Sequence, residues 1–137
     1  MPAEFHLSVV APDRSVVEET VTSVIAPGQA GYFGVMAGHV PLIAALKPGI
    51  LEYVDSSNNR SYVYTGGGFA EIAADRVTVL ADEAQRATEI DATHAEEAIE
   101  SARRALRGED SSMTTEDAVL EVERAIHRRK AARLVGK

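Results

Sequence analysis

The chain has 137 residues, 45% of them hydrophobic, a formal net charge of −7 and no cysteine. A chain of this length can form one domain with a short additional element. Its hydrophobic core can be large enough to be stable without disulfide bonds. The missing cysteine excludes disulfides, thiolate metal sites and cysteine nucleophiles. The acidic balance argues against nucleic acid as a partner. No signal peptide is visible, and the apolar stretches are shorter than the roughly 20 residues of a membrane span, so we expect a soluble chain.

The first ninety residues have the pattern of short strands separated by turns. Phe5, Leu7 and Val9 alternate with polar residues, which is the period of a half-buried strand. Further apolar or β-branched runs end at Pro-Gly pairs, glycines or Asp/Asn-rich turns. These runs cover residues 21–26, 31–36, 41–46, 50–54, 60–65, 69–73 and 77–80. Such spacing without an intervening helix predicts an antiparallel β-sandwich or barrel rather than a parallel βαβ fold.

The period changes to that of helices after Ile90. Asp91 is the expected N-cap of a first helix that ends at Gly108, and Thr114 or Thr115 is expected to cap a second. The predicted apolar faces are Ala95, Ala98, Ile99, Ala102 and Leu106 on the first helix and Ala118, Val119, Val122, Ala125 and Ile126 on the second. The short connection predicts that the two helices form an antiparallel hairpin. Their shared face is mostly alanine and valine, which bury little apolar surface, so we expect the helices to be weakly held together and able to separate.

Two glycine-rich segments could either bind a ligand or simply allow the backbone to bend. Residues 31–42 contain three glycines but lack the lysine and Ser/Thr of a phosphate-binding P-loop, which favours bends and close backbone approaches. His39, in this segment, has no partner at metal-ligand or catalytic spacing, which favours a structural or interface role. Gly66-Gly67-Gly68 predicts a bulge or sharp bend in a sheet.

No set of residues has the pattern of a catalytic or metal site. The acids at the junction between the two parts lack calcium-loop spacing and are interpreted as a solvated connector: Asp82, Glu83, Glu89 and Asp91. His94 and His127 are expected at helix surfaces. The sequence has no Ser-His-Asp order, dinucleotide fingerprint or HExxH motif. We therefore predict no catalytic residue, no metal and no bound cofactor.

The order of the motifs resembles that of the epsilon subunits of F-type ATP synthases. The matching segments are residues 5–12, 31–42, 46–51, 67–72, 77–82 and 90–91, so that the resemblance covers nearly the whole chain. It implies a sandwich of about ten strands over residues 1–89 that binds the gamma subunit and the c-ring. It also implies a regulatory helix-loop-helix domain over residues 90–137. The chain would then be a non-catalytic stalk subunit of a proton-translocating enzyme, at the cytoplasmic face of a bacterial plasma membrane.

The resemblance implies two partner surfaces. The c-ring loops would face Tyr32, Gly34, His39 and Pro41, although the family often has an acid where this chain has Tyr32. The extended helices would reach the alpha and beta subunits and inhibit ATP hydrolysis through a basic cluster: Arg124, Arg128, Arg129, Lys130 and Arg133. The alternative interpretation of this cluster is compensation of a helix dipole.

The alternative function is that of a nucleotide-sensing regulatory subunit. Some family members bind ATP between folded helices through an Ile/Leu-Asp-x-x-Arg-Ala motif, which corresponds to residues 90–95 here. His94 stands in place of the arginine, and Ser101 in place of a second one. Neutral histidine lacks the permanent charge and forked donors of arginine. The candidates for ATP binding are Asp91, His94, Arg124 and Arg128, and we expect weak binding or none.

Overall fold

The computed structural model describes residues 3–137, which form two compact units. The first unit ends at Arg86 and the second runs from Ala87 to Lys137. The first contains seven strands: β1 (Phe5–Ala11), β2 (Arg14–Gly28), β3 (Gly31–Val35), β4 (Leu42–Asp55), β5 (Arg60–Ile72), β6 (Arg76–Ala81) and β7 (Ala84–Arg86). The sequence had suggested a domain boundary after residue 89, which remains a prediction about how fragments behave.

The predicted sandwich is confirmed, but it has seven continuous strands within residues 3–137 rather than about ten. The difference arises because β2, β4 and β5 are long and each continues from one layer into the other. Residues 14–21 of β2 pair with β1, whereas residues 24–28 pair with β3. Strand β4 pairs with β5 along its whole length. On its other edge, β5 pairs with β7 through residues 63–65 and with β6 through residues 68–72. Each long strand therefore serves both layers.

The strand pairing divides the first unit into two layers. The first layer contains β1, β6 and residues 14–21, 42–46 and 68–72 of the long strands. The second contains β3, β7 and the remaining halves of the long strands. The β1–β6 pair is parallel, against the antiparallel expectation. These strands lie far apart in sequence, so no hairpin restricts their relative direction.

The core lies between the layers and follows the predicted alternation. Phe5, Leu7 and Val9 are buried, as the period of two requires. They pack with aliphatic side chains of both layers and with Tyr53. The glycine triplet forms the bend predicted for it, since Gly67 and Gly68 have φ values of +100° and +132° where β5 passes between layers. A Cβ atom at Gly68 would lie 2.1 Å from the carbonyl oxygen of Leu80, so only glycine fits there.

Two helices make up most of the second unit, after a 3-10 turn at Ala87–Glu89. Helix α1 spans Ala92–Leu106 and α2 spans Thr115–Leu134. The Asp91 carboxylate accepts the amide hydrogen of His94 at 3.1 Å, and Thr114, rather than Thr115, accepts that of Asp117 at 3.1 Å. Gly108 ends α1 at φ +79°. Local capping chemistry therefore sets these helix ends as predicted.

The helices are antiparallel, because Glu96 near the start of α1 meets Arg129 and Arg133 near the end of α2. Their buried side chains are mainly alanines, with Ile99 the larger one. Leu106 and Val119, which periodicity placed on the shared face, are instead 42% and 53% exposed. Both lie close to the loop end of the hairpin, where the facing helix ends and offers little surface to cover them. Within residues 3–137, no helix combines the length and the hydropathy required to cross a membrane.

Candidate interaction surfaces

An apolar row crosses the outer face of the first layer. Ala45 of β4 lies opposite Phe69 of β5, Phe69 opposite Leu80 of β6, and Leu80 beside Val10 of β1. Phe69 is 57% exposed and Leu80 is 55% exposed. We call these four residues the apolar row. Phe69 and Leu80 are flanked by Ala45 and by the half-buried Val10, and exposed apolar side chains that adjoin in this way are more typical of a contact surface than single ones are.

A polar row borders the apolar row on the same face. Glu71 of β5 lies opposite Thr78 of β6, and Ser8 of β1 lies between Thr78 and Glu18 of β2. The Ser8 hydroxyl donates to the Glu18 carboxylate at 2.6 Å, and His6 Nε2 lies 2.7 Å from it. These hydrogen bonds, that from Ser8 first, lower the pKa of Glu18. The face therefore combines an apolar centre with an acidic, hydrogen-bonded edge, as protein interfaces do.

The loop predicted to face the c-ring belongs to a second candidate surface, which is uncharged. Residues 20–46 contain no Asp, Glu, Lys or Arg. Met36, Val40 and Ile43 are 63%, 74% and 73% exposed. A long uncharged segment with exposed apolar side chains, in a protein of net charge −7, distinguishes this surface from the rest of the molecule.

The four predicted loop residues take two different structural positions. Tyr32 and Gly34 lie on β3, where the Tyr32 hydroxyl accepts the amide hydrogen of Ile50 at 3.1 Å. Gly49 permits this approach, since a Cβ atom there would lie 2.8 Å from the hydroxyl. The half-exposed Tyr32 ring is therefore fixed to strand β4 and retains a free face.

His39 and Pro41 lie in the connection between β3 and β4. His39 Nδ1 lies 2.7 Å from the carbonyl oxygen of Val40, so this nitrogen carries a hydrogen and donates it. The amide of Gly38 donates to the carbonyl of Ala74 at 2.8 Å, which ties the connection to the β5–β6 turn. Pro41 is exposed. The structure gives His39 a local backbone contact and leaves its Nε2 edge for another contact.

A groove of about 540 Å³ lies between α1 and α2. Three residues considered for ATP binding line this groove: His94 and Ser101, which stand in place of arginines, and the candidate Arg124. Asp117 and Glu121 also line it, and their carboxylates would repel a nucleotide phosphate. The other two candidates are used elsewhere: Asp91 caps α1, and Arg128 lies 2.8 Å from Glu121 with only 12% of its side chain exposed.

The basic cluster of α2 is largely turned toward the hairpin. Arg129 and Arg133 meet Glu96, Arg128 meets Glu121, and Arg124 lines the interhelical groove. Lys130 is exposed. Sequence periodicity did not reveal the pairing of Arg129 and Arg133 with Glu96, because it joins two helices, whereas Arg128 and Glu121 lie two turns apart on one face of α2. Among residues 3–137, no group of three or more His, Asp or Glu side chains is arranged to hold a metal ion.

Comparison with known proteins identifies the family. Residues 4–87 match the family described as the beta-sandwich domain of the ATP synthase delta/epsilon chain. The ATP synthase epsilon chain of Myxococcus xanthus is 36% identical over 132 residues, which are 96% of this chain and 93% of the relative. The corresponding protein of Anaeromyxobacter sp. is 43% identical over 129 residues, 93% of each chain. That of Desulfatibacillum aliphaticivorans is 42% identical over 113 residues, 82% of this chain and 80% of the relative.

A solved structure supports the same assignment. A chain in the structure of Euglena gracilis mitochondrial ATP synthase, comprising OSCP, F1 and the c-ring, superposes with a TM-score of 0.76. It is 27% identical and covers 98% of this chain and 83% of its own length. The chain thus combines the β-sandwich domain of that family with a C-terminal helical hairpin. The chain belongs to the ATP synthase epsilon-chain family, and it acts as a subunit of ATP synthase rather than as an enzyme by itself.

Proposed function

We propose that this chain is the central-stalk subunit that couples rotation in a proton-translocating F-type ATP synthase and limits ATP hydrolysis. In this proposal the sandwich binds the gamma subunit and the c-ring loops. The helices act on the alpha and beta subunits when they extend. The subunit reaches the cytoplasmic face of a bacterial plasma membrane only through the complex.

The apolar row is the observation that carries the proposal. Phe69 and Leu80 expose more than half of their surfaces on a rigid sheet, so a partner gains burial without ordering a flexible loop. We assign this face to the gamma subunit, because a long stalk subunit needs a contact that transmits torque without slipping. The acidic edge at Glu18 and Glu71 would then meet basic or hydrogen-bonding groups of gamma.

The uncharged loop surface is assigned to the c-ring. This surface offers groups that need no charged partner. They are the aromatic ring of Tyr32, the exposed backbone of Gly34, the imidazole edge of His39 and the ring of Pro41. We expect contact with polar loops of the ring through hydrogen bonds and apolar burial rather than through ion pairs. Changing Tyr32 and His39 together to alanine should reduce proton pumping per ATP hydrolysed in membrane vesicles, while subunit retention stays normal.

The helices are assigned to inhibition through the basic cluster. An enzyme rebuilt with residues 1–89 should hydrolyse ATP faster than one rebuilt with the full chain. Changing Arg124, Arg128 and Arg129 to alanine in the full chain should have the same direction of effect, since alanine preserves helix propensity. Equal hydrolysis rates in all three enzymes, with the subunit retained, would contradict the inhibitory role.

Nucleotide sensing is the second candidate, favoured by the groove that gathers His94, Ser101 and Arg124. The carboxylates of Asp117 and Glu121 oppose it. Titration calorimetry on the isolated chain separates the two. We expect no ATP dissociation constant below about 10 μM, which corresponds to roughly −7 kcal/mol. If the backbone of the groove suits a nucleotide, the double change His94→Arg with Ser101→Arg should tighten binding.

A further inference from the structure

The first part of β4 forms an edge of the first layer. Residues 42–46 pair with residues 68–72 of β5 on one side. On the other side, β2 pairs with β4 only from Leu46 onward, so that within residues 3–137 no strand pairs with residues 42–45 there. We call residues 42–45 the open edge.

The open edge directs hydrogen-bonding groups of its backbone outward. The carbonyl oxygen of Ala45 accepts the amide hydrogen of Gln29 at 2.9 Å, so the backbone of Ala45 faces away from β5. Successive residues of a strand alternate in direction, which places the backbone groups of Ile43 outward and those of Ala44 toward Ala70 of β5. The N–H and C=O of Ile43 and the N–H of Ala45 therefore point to the side where a further strand would lie.

The residues of the open edge do not oppose the addition of a strand. Exposed edges of sheets usually carry charges, prolines or bulges that prevent pairing with another chain. Residues 42–45 contain only Leu, Ile and Ala, and Ile43 is 73% exposed. A pocket of about 450 Å³ lies beside Ala44 and Ala45 and is also lined by residues 28–33. The open edge therefore combines outward backbone groups with an adjacent space for a side chain.

We propose that the gamma subunit adds an extended, uncharged segment to the open edge as a further strand of the first layer. The inference rests on the proposed binding of gamma. The open edge is continuous with the surface assigned to gamma, because Ala45 belongs to both. Alternate side chains of the added strand extend the apolar row, and the others face the pocket. A second copy of this chain is a poorer occupant, since both copies carry a net charge of −7 and repel each other.

Hydrogen exchange of single amides, measured by NMR on the full-length chain with and without gamma, tests the added strand. In the free chain the outward amides of Ile43 and Ala45 should exchange fast. The amide of Ala44 is held by β5 and serves as the internal reference. Binding of gamma should slow exchange at Ile43 and Ala45 about tenfold, because each amide then donates to the added strand. Unchanged exchange at both amides in the formed complex overturns the added strand and leaves binding of gamma through the apolar row intact.

A matched pair of substitutions gives a second readout. Ile43→Pro removes an outward N–H, which an edge strand tolerates, whereas Ile43→Val keeps this N–H with a side chain of similar size. In titration calorimetry Ile43→Pro should bind gamma about fivefold to tenfold more weakly than Ile43→Val, the factor that corresponds to one hydrogen bond. Equal affinities, with near-UV circular dichroism showing both variants folded, overturn the added strand. If Ile43→Pro does not fold, the exchange measurement decides.

Two further outcomes separate the added strand from the proposed function. If the wild-type chain does not bind gamma at all, the proposed function and the added strand are both contradicted. If exchange at Ile43 and Ala45 slows as the concentration of the free chain rises, without gamma, the occupant is a second copy and the assignment to gamma is overturned.

Discussion

Replacing Phe69 and Leu80 by threonine is expected to weaken binding of the gamma subunit by about 30- to 100-fold. Full burial of a phenylalanine or leucine side chain contributes about 1.5–3 kcal/mol. In the free chain 57% of Phe69 and 55% of Leu80 is still exposed, so a partner that covers them gains about half of that from each. Together this is about 2–3 kcal/mol, and every 1.4 kcal/mol is tenfold in affinity.

Threonine is chosen because it is β-branched and preserves the tendency to form strands. The matched control is Ile25→Thr, which changes a residue that is 39% exposed on the outer face of the second layer. Binding is measured by titration calorimetry with the gamma subunit, and thermal unfolding confirms that each variant remains folded. If the dissociation constant for gamma rises by less than about threefold in the double variant while the fold stays intact, the assignment of this face to gamma is refuted.

Three further predictions concern stability and domain structure. Gly68→Ala should destabilise the sandwich by more than about 4 kcal/mol in denaturant unfolding, because its Cβ would meet backbone at 2.1 Å, whereas Gly34→Ala, with its nearest neighbour at 3.9 Å, should cost under about 1 kcal/mol. The fragment 1–89 should unfold cooperatively, as it contains the whole sandwich core; loss of near-UV circular dichroism would count against this. The Glu18 pKa lies below its usual value of 4.5, so its hydrogen bonds stabilise the fold above that pH and stop doing so as pH falls through the lowered pKa. Glu18→Gln should therefore reduce the free energy of unfolding by up to about 1 kcal/mol at pH 7 and by less near pH 3; an equal reduction at both values would show that charge is not involved.

Much of the second unit could be predicted from the sequence. Capping of helices depends on residues within one turn, so Asp91, Gly108 and a threonine near position 114 were sufficient to place three helix ends. The exposed positions of Leu106 and Val119 were not predictable in this way. Periodicity assigns a face to a helix but does not say how far along its length the partner helix extends.

The candidate surfaces were less accessible to sequence reasoning. The alternation of Phe69 with Ala70 and of Leu80 with Val79 placed each on one face of its own strand. That Phe69, Leu80 and Val10 adjoin depends on the register of three strands, which the local pattern does not contain. The pairing of Arg129 and Arg133 with Glu96 depends likewise on which turn of α1 lies opposite.

The sequence by itself determined the class of fold, the change from strands to helices near Ile90, the bend at the glycine triplet and the family. These follow from local periodicity, capping and turn chemistry, whose interactions span a few residues. Only the tertiary structure decided that three strands serve both layers, that the apolar row is continuous and that Glu96 occupies Arg129 and Arg133. Each of these depends on contacts between residues distant in sequence, whose geometry is set by the packing of the whole unit rather than by any segment alone.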